Sequence, residues 1–122
     1  NEDIVVPRSR IPDMIERIQA AGNKYGIPIV NFGHAGDGNI HVTVMAGPAG
    51  GADLPKMKKA VEEIFEATVA LGGRISGEHG IGLAKQPYIG LNLDAPTLDL
   101  CRLLKKTLDP NNILNPGKMF PS

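Results

Sequence analysis

The stretch Asn31 to Val44, NFGHAGDGNIHVTV, sets a histidine on each side of a Gly-Asp-Gly tip. IPIVNFG and NIHVTVM are both rich in β-branched and aromatic residues, and the Asp37-Gly38 pair between them is the strongest short-range signal for a tight turn. A hairpin is predicted. With Asp37 and Gly38 as the two turn residues, pairing runs outward as Gly36 with Asn39, Ala35 with Ile40, and His34 with His41. Directly opposed residues share a sheet face with Cβ atoms roughly 4.5 to 5.5 Å apart, close enough for two imidazoles to meet one metal ion. A slip of one residue would put them on opposite faces.

Working outward, DIVVP (Asp3 to Pro7) reads as a first strand ended by proline. Between Arg8 and Tyr25 the positions Ile11, Ile15, Ile18, Gly22 and Tyr25 recur at helical spacing, with Ser9 as cap and Gly26 as stop. AGPAGG (Ala46 to Gly51) breaks the chain after the hairpin. Leu54, Met57, Val61, Ile64, Phe65 and Thr68 then mark a second helix, capped by Asp53 and terminated at Gly72-Gly73. RISG supplies one more short strand, and EHGIG is too glycine-rich for a strand interior. The order βαββαβ is that of an α+β, ferredoxin-like (split βαβ) fold, an antiparallel sheet of four strands with helices on one face. A helix from about Pro96 to Leu108 and an Asn- and Pro-rich tail form a helical C-terminal extension. There is no repeat and no low-complexity segment.

In that fold the hairpin turn lies at the same sheet edge as the end of the last strand, where Glu78 and His79 fall. Glu78 would add a carboxylate to the two imidazoles. Two histidines, one glutamate and an open position match the ligand count of a catalytic site rather than a closed structural one. His79 is then left beside the metal, and imidazole is the side chain suited to take a proton near neutral pH. Any one histidine taken singly reads as a surface or satisfied core residue; the joint pattern is harder to dismiss. Asp37 reads as a turn former, and Gly33, Gly36 and Gly38 as turn geometry or room for a ligand. Lys85, Arg8 and Arg10 read as solvated charges, or alternatively as a grip on a substrate carboxylate. GEHGIG lacks the spacing of either common phosphate-binding loop, which excludes nucleotide binding by that route.

The bulk numbers fit one compact domain. The 122 residues are 42% hydrophobic and 21% charged, and 13 basic residues balance 13 acidic ones. Nothing there suggests electrostatic capture of nucleic acid or an anionic membrane. No apolar run approaches the ~20 residues of a membrane span, and the first residues lack the basic-then-apolar pattern of a secretory signal. The lone Cys101 reads as core filler and excludes an internal disulfide, which fits an intracellular setting. A chain that opens on Asn1 and moves at once into a strand reads as cut from a longer protein.

GHAGDGNIH, SGEHGIGLAK and LDPNNILNPGK, in that order, resemble the C-terminal domain of FAD-linked oxidases of the vanillyl-alcohol oxidase type, nearest the FAD-binding glycolate oxidase subunit and D-lactate dehydrogenases. EDIVVPRSRIPDMI fits the same pattern, so the resemblance covers nearly the whole chain. It implies that residues 1–122 are a single domain whose N-terminal FAD-binding partner domain lies outside this sequence. It also implies that His34, His41 and Glu78 hold a divalent cation, usually zinc, although the donor set alone suits manganese or iron as well. His79 corresponds to the base, and Asn115 and Lys118 of the Asn-Pro-Gly-Lys tail become flavin neighbours. The implied reaction is oxidation of a small 2-hydroxy acid such as glycolate or D-lactate, with hydride passing to FAD and electrons onward to a partner, by analogy an iron-sulfur subunit. The setting implied is cytoplasmic, peripheral to the inner membrane through partner subunits. The family arginine that grips the substrate carboxylate lies upstream of Asn1, so the isolated domain should be inactive, and its uncovered face should be apolar or self-associated. Two other readings stay open: a non-catalytic ferredoxin-like ligand-sensing or assembly module, and a metallohydrolase using the same triad.

Overall fold

The computed structural model describes residues 1–47 and 53–120. Part of the predicted AGPAGG chain break lies outside them. The chain divides into two compact units, Asn1–His79 and Gly80–Ser122.

The first unit is built on a three-stranded antiparallel sheet of β1 (Glu2–Val5), β2 (Ile29–His34) and β3 (Asn39–Val44), in the order β1-β3-β2. Helices α1 (Ile11–Tyr25) and α2 (Leu54–Ala70) complete the α+β architecture. Period-two alternation puts Ile4, Ile40 and Val42 on one face, where they are buried with Met14 and Ile18 of α1 and Ile64 and Phe65 of α2. On the opposite face Val30 and Phe32 stay largely exposed. Both helices therefore cover the same side of the sheet. Burial of this kind is worth roughly 1.5 to 3 kcal/mol per large apolar side chain.

The predicted fourth strand is not formed. RISG contributes one isolated antiparallel bridge, Arg74 to Val5, with Val5 N–H donating to Arg74 O at 3.0 Å and Arg74 N–H to Val5 O at 2.8 Å. That bridge stands beside β1, the position a fourth strand would take in the split βαβ order. Pairing stops there because the backbone donors that follow, from Gly77 on, turn to a side chain. Gly73 allows the approach: a Cβ at this position would lie 2.3 Å from Val5 O and 2.8 Å from Thr68 O.

Helix ends follow the expected chemistry only in part. Gly26 closes α1 in the left-handed conformation (φ 65°), as its lack of a Cβ permits. Ser9 does not cap; Arg8–Arg10 form a 3-10 turn, and α1 begins after Arg10 with no side-chain cap. Asp53 precedes α2, yet its carboxylate accepts from Gly47 N–H at 3.1 Å rather than from the helix.

The second unit holds a 3-10 turn (Gln86–Tyr88), the short α3 (Ile89–Asn92) and α4 (Ala95–Leu108), whose first turn is capped by Asp94 accepting from Thr97 N–H at 3.0 Å. No residue of α4 is buried, and Cys101 is only half-buried rather than core filler. Lys85 departs from expectation the other way: 4% exposed, it is not a solvated charge. After α4 the buried Asp109 clamps the chain, accepting from Ile113 N–H and Leu114 N–H at 3.0 Å each and from the Lys105 ammonium. The Lys105 ammonium, with the two amides, holds the Asp109 carboxyl below its ordinary 3.8. The clamp is therefore complete above that value and is lost as pH falls through the lower folded-state value. Asp109→Asn should destabilise the protein near neutral pH, and the gap to wild type should close as unfolding is followed below pH 3.8.

Candidate metal centre

The hairpin turn is longer than the Asp37-Gly38 pair predicts. β2 ends at His34 and β3 begins at Asn39, leaving Ala35 to Gly38 as the loop, so that His34 pairs with Asn39 and Phe32 with His41. The loop is closed by Asp37 N–H and Gly38 N–H donating to His34 O at 3.2 and 3.0 Å, while Asp37 Oδ1 accepts from Asn39 N–H at 3.1 Å. Gly38 (φ 86°) sits where a Cβ would lie 2.0 Å from Val6 O, so the tip can pack against the chain after β1 only with glycine here.

The register therefore differs by two residues from the predicted one, and two residues preserve the sheet face. His34 and His41 become diagonal instead of direct neighbours, within reach of each other on the open face. Their ring centroids are 5.5 Å apart, edge to face. His41, on the central strand, is buried, with Phe32 tilted against it at 5.1 Å and the His79 ring stacked at 5.3 Å. Its Nε2 lies 2.9 Å from Glu78 Oε1, and the same oxygen is 4.0 Å from His79 Nε2. The side chains of Glu78 and His79 are about half exposed, at 50% and 48%, so the centre opens to solvent on that side.

One ligand atom from each of His34, His41 and Glu78 lies within 4.8 Å of the others, and Asp3, His41 and His79 satisfy the same criterion. Hydrogen bonding separates the two sets. Asp3 is fully buried, and its carboxylate accepts from Asn39 Nδ2, Ser76 Oγ, and the N–H groups of Gly77, Glu78 and His79 at 2.9 to 3.1 Å. A carboxylate offers about four lone-pair sites, and those of Asp3 are taken up by N–H and O–H donors. A cation there would have to displace the loop. Among the described residues, the side chains of His34, His41 and Glu78 carry no comparable set of donors, and the 2.9 Å contact of His41 with Glu78 lies within the set itself. Tetrahedral bonds of about 2.1 Å hold donors roughly 3.4 Å apart, inside the 4.8 Å span of these three, so the donor set and its spacing fit a divalent ion.

Asp3 and Asn39 are absent from the sequence-derived site. A charged residue in the otherwise apolar run DIVV was the available signal. Asn115 and Lys118 lie in the second unit, where both line a cavity of about 370 Å³ with Leu104, Leu114, Met119 and Phe120. Asn115 is exposed at φ 50°, and Lys118 Nζ donates to Pro116 O at 3.3 Å.

An α+β domain with two imidazoles and a carboxylate gathered at one end of its sheet is thus defined. Residues 1–119 match the family described as FAD linked oxidases, C-terminal domain, and the chain belongs to that family. It is 46% identical over 119 residues to the glycolate oxidase subunit GlcD of Bacillus subtilis, covering 98% of this chain and 25% of that protein. It is 32% identical to the mitochondrial D-lactate dehydrogenase [cytochrome] of Arabidopsis thaliana, covering 98% of this chain and 21% of that one. To the D-2-hydroxyglutarate dehydrogenase of Stutzerimonas stutzeri it is 34% identical, covering 97% and 26% respectively. The chain spans about a quarter of the length of these relatives. Among the described residues no helix is long and apolar enough to cross a membrane.

Proposed function

We propose that the chain serves as one domain of an FAD-dependent 2-hydroxy-acid dehydrogenase, carrying the metal and proton-transfer groups. The observation that carries this reading is the convergence of His34, His41 and Glu78, with His79 stacked on His41 beside them. His34, His41 and Glu78 would hold a divalent cation, zinc by preference, which when bound lowers the pKa of a substrate hydroxyl. His79 Nε2, on the solvent-open side, takes that hydroxyl proton. FAD, held mainly by an N-terminal domain, would supply the hydride acceptor. Asn115 and Lys118 are assigned as flavin neighbours, the cavity they share being the support for that role.

Glycolate, D-lactate and D-2-hydroxyglutarate, named in the relatives, share an α-hydroxy carboxylate. That shared group is the substrate class proposed here. The exposed Val30 and Phe32 in one unit, and Leu100, Leu103 and Leu108 in the other, are apolar surface suited to burial against the rest of the full protein, or against a second copy of the domain when it is isolated. Because GlcD is named as a subunit, assembly with an electron-accepting partner, an iron-sulfur subunit at the cytoplasmic side of the inner membrane, completes the reading.

In the full gene product, D-lactate or glycolate should reduce the flavin anaerobically. Treatment with a strong chelator should abolish this and added Zn²⁺, Mn²⁺ or Fe²⁺ should restore it. Flavin reduction at an unchanged rate in metal-free protein would eliminate the metal-dependent mechanism.

A further inference from the structure

We propose that Asp3 is the positioning residue of the metal centre: its buried carboxylate fixes the Ser76–His79 loop and so places Glu78 and His79 against the hairpin. This rests on the metal reading above only for its functional consequence. Apolar burial ends at the foot of the loop. Ile75 is fully buried, but Gly77, Glu78, His79 and Gly80 are all exposed, so no apolar side chain anchors the backbone that carries the two functional residues. Its N–H groups do. Three consecutive amides, of Gly77, Glu78 and His79, converge on Asp3 at 2.9, 3.1 and 3.0 Å, and Ser76 Oγ adds a fourth donor at 3.1 Å. Successive N–H groups aimed at one anion form a nest, and hydrogen bonds to an ionised acceptor are the stronger kind.

Asp3 is itself fixed from the hairpin. It pairs with His41 across β1 and β3, and Asn39 Nδ2 donates to its Oδ1 at 3.1 Å. One carboxylate thus joins the strand that bears His41 to the loop that bears Glu78. The approach is so close that a Cβ on Gly77 would lie 2.7 Å from Asp3 Oδ1 and 2.5 Å from Asn39 Nδ2. Asp3→Asn keeps the shape but turns an amide NH₂ toward the loop's donors, leaving some of them unpaired.

The test uses the full gene product, with Zn²⁺ competition against a chromophoric chelator and hydrogen exchange read on peptides. Asp3→Asn should weaken Zn²⁺ binding by roughly 10- to 100-fold, the usual effect of losing an outer-shell support. Peptides spanning Ser76 to His79 should exchange faster while those spanning Ile40 to Val44 keep their protection. Asp109→Asn, which removes a comparable clamp in the other unit, should change neither. If Asp3→Asn fails to fold, Asn39→Ala should give a smaller loss in both readouts. Wild-type Zn²⁺ affinity and loop protection in a folded Asp3→Asn or Asn39→Ala protein would overturn the proposal. Should the wild type bind no Zn²⁺, the metal reading fails and exchange at Ser76 to His79 alone decides the role of Asp3.

Discussion

Replacing His79 by alanine in the full gene product should slow flavin reduction by a 2-hydroxy acid by roughly 10²- to 10⁴-fold, the usual contribution of a positioned general base. Metal content should stay near the wild-type value, because His79 lies outside the set formed by His34, His41 and Glu78. Its Nε2 is 4.0 Å from Glu78 Oε1, near enough to receive a proton from a hydroxyl held beside that carboxylate. Anaerobic stopped-flow reduction with parallel metal analysis measures both quantities. Reduction at the wild-type rate would remove His79 from the role of base.

Glu78→Ala should behave differently although the residues are adjacent. It removes the only carboxylate of the proposed donor set and leaves two imidazoles, so both metal content and flavin reduction should fall. The 2.9 Å contact to His41 Nε2 is lost as well, leaving a buried imidazole without that acceptor. Saturating Zn²⁺ should restore part of the Glu78→Ala rate but none of the loss in His79→Ala. Full metal occupancy in purified Glu78→Ala would contradict the assignment of Glu78 as a ligand.

Local signals in the sequence were enough to place the hairpin, both principal helices and the grouping of His34, His41, Glu78 and His79. One local contact and one long-range contact explain the differences. Asp37-Gly38 reads as a two-residue turn, but the Asp37 carboxylate caps Asn39 N–H and lengthens the loop by two residues. Because strand periodicity is two, that error left the histidines on the predicted face. RISG has strand character, yet its pairing ends after Arg74, as the loop from Ser76 onward turns its donors to Asp3. No local pattern announces that turn. Lys85 reads as a surface charge because sequence shows its own type and not what covers it, and it is buried.

The Asp3 clamp also bears on how the chain folds. Its bonds to Gly77, Glu78 and His79 span 74, 75 and 76 residues, and α1, the hairpin and α2 all lie within that loop. Closing so long a loop costs chain entropy that only the assembled sheet and helices can offset. No early intermediate made of local contacts can therefore present the complete donor set, and these contacts belong to the slow, high-contact-order part of folding. A cation recognising that set would bind the native chain in preference to its unfolded ensemble, where the single histidines remain as weaker partners. Its concentration relative to Kd would then raise the unfolding free energy of the entire first unit, by RT ln(1 + [L]/Kd).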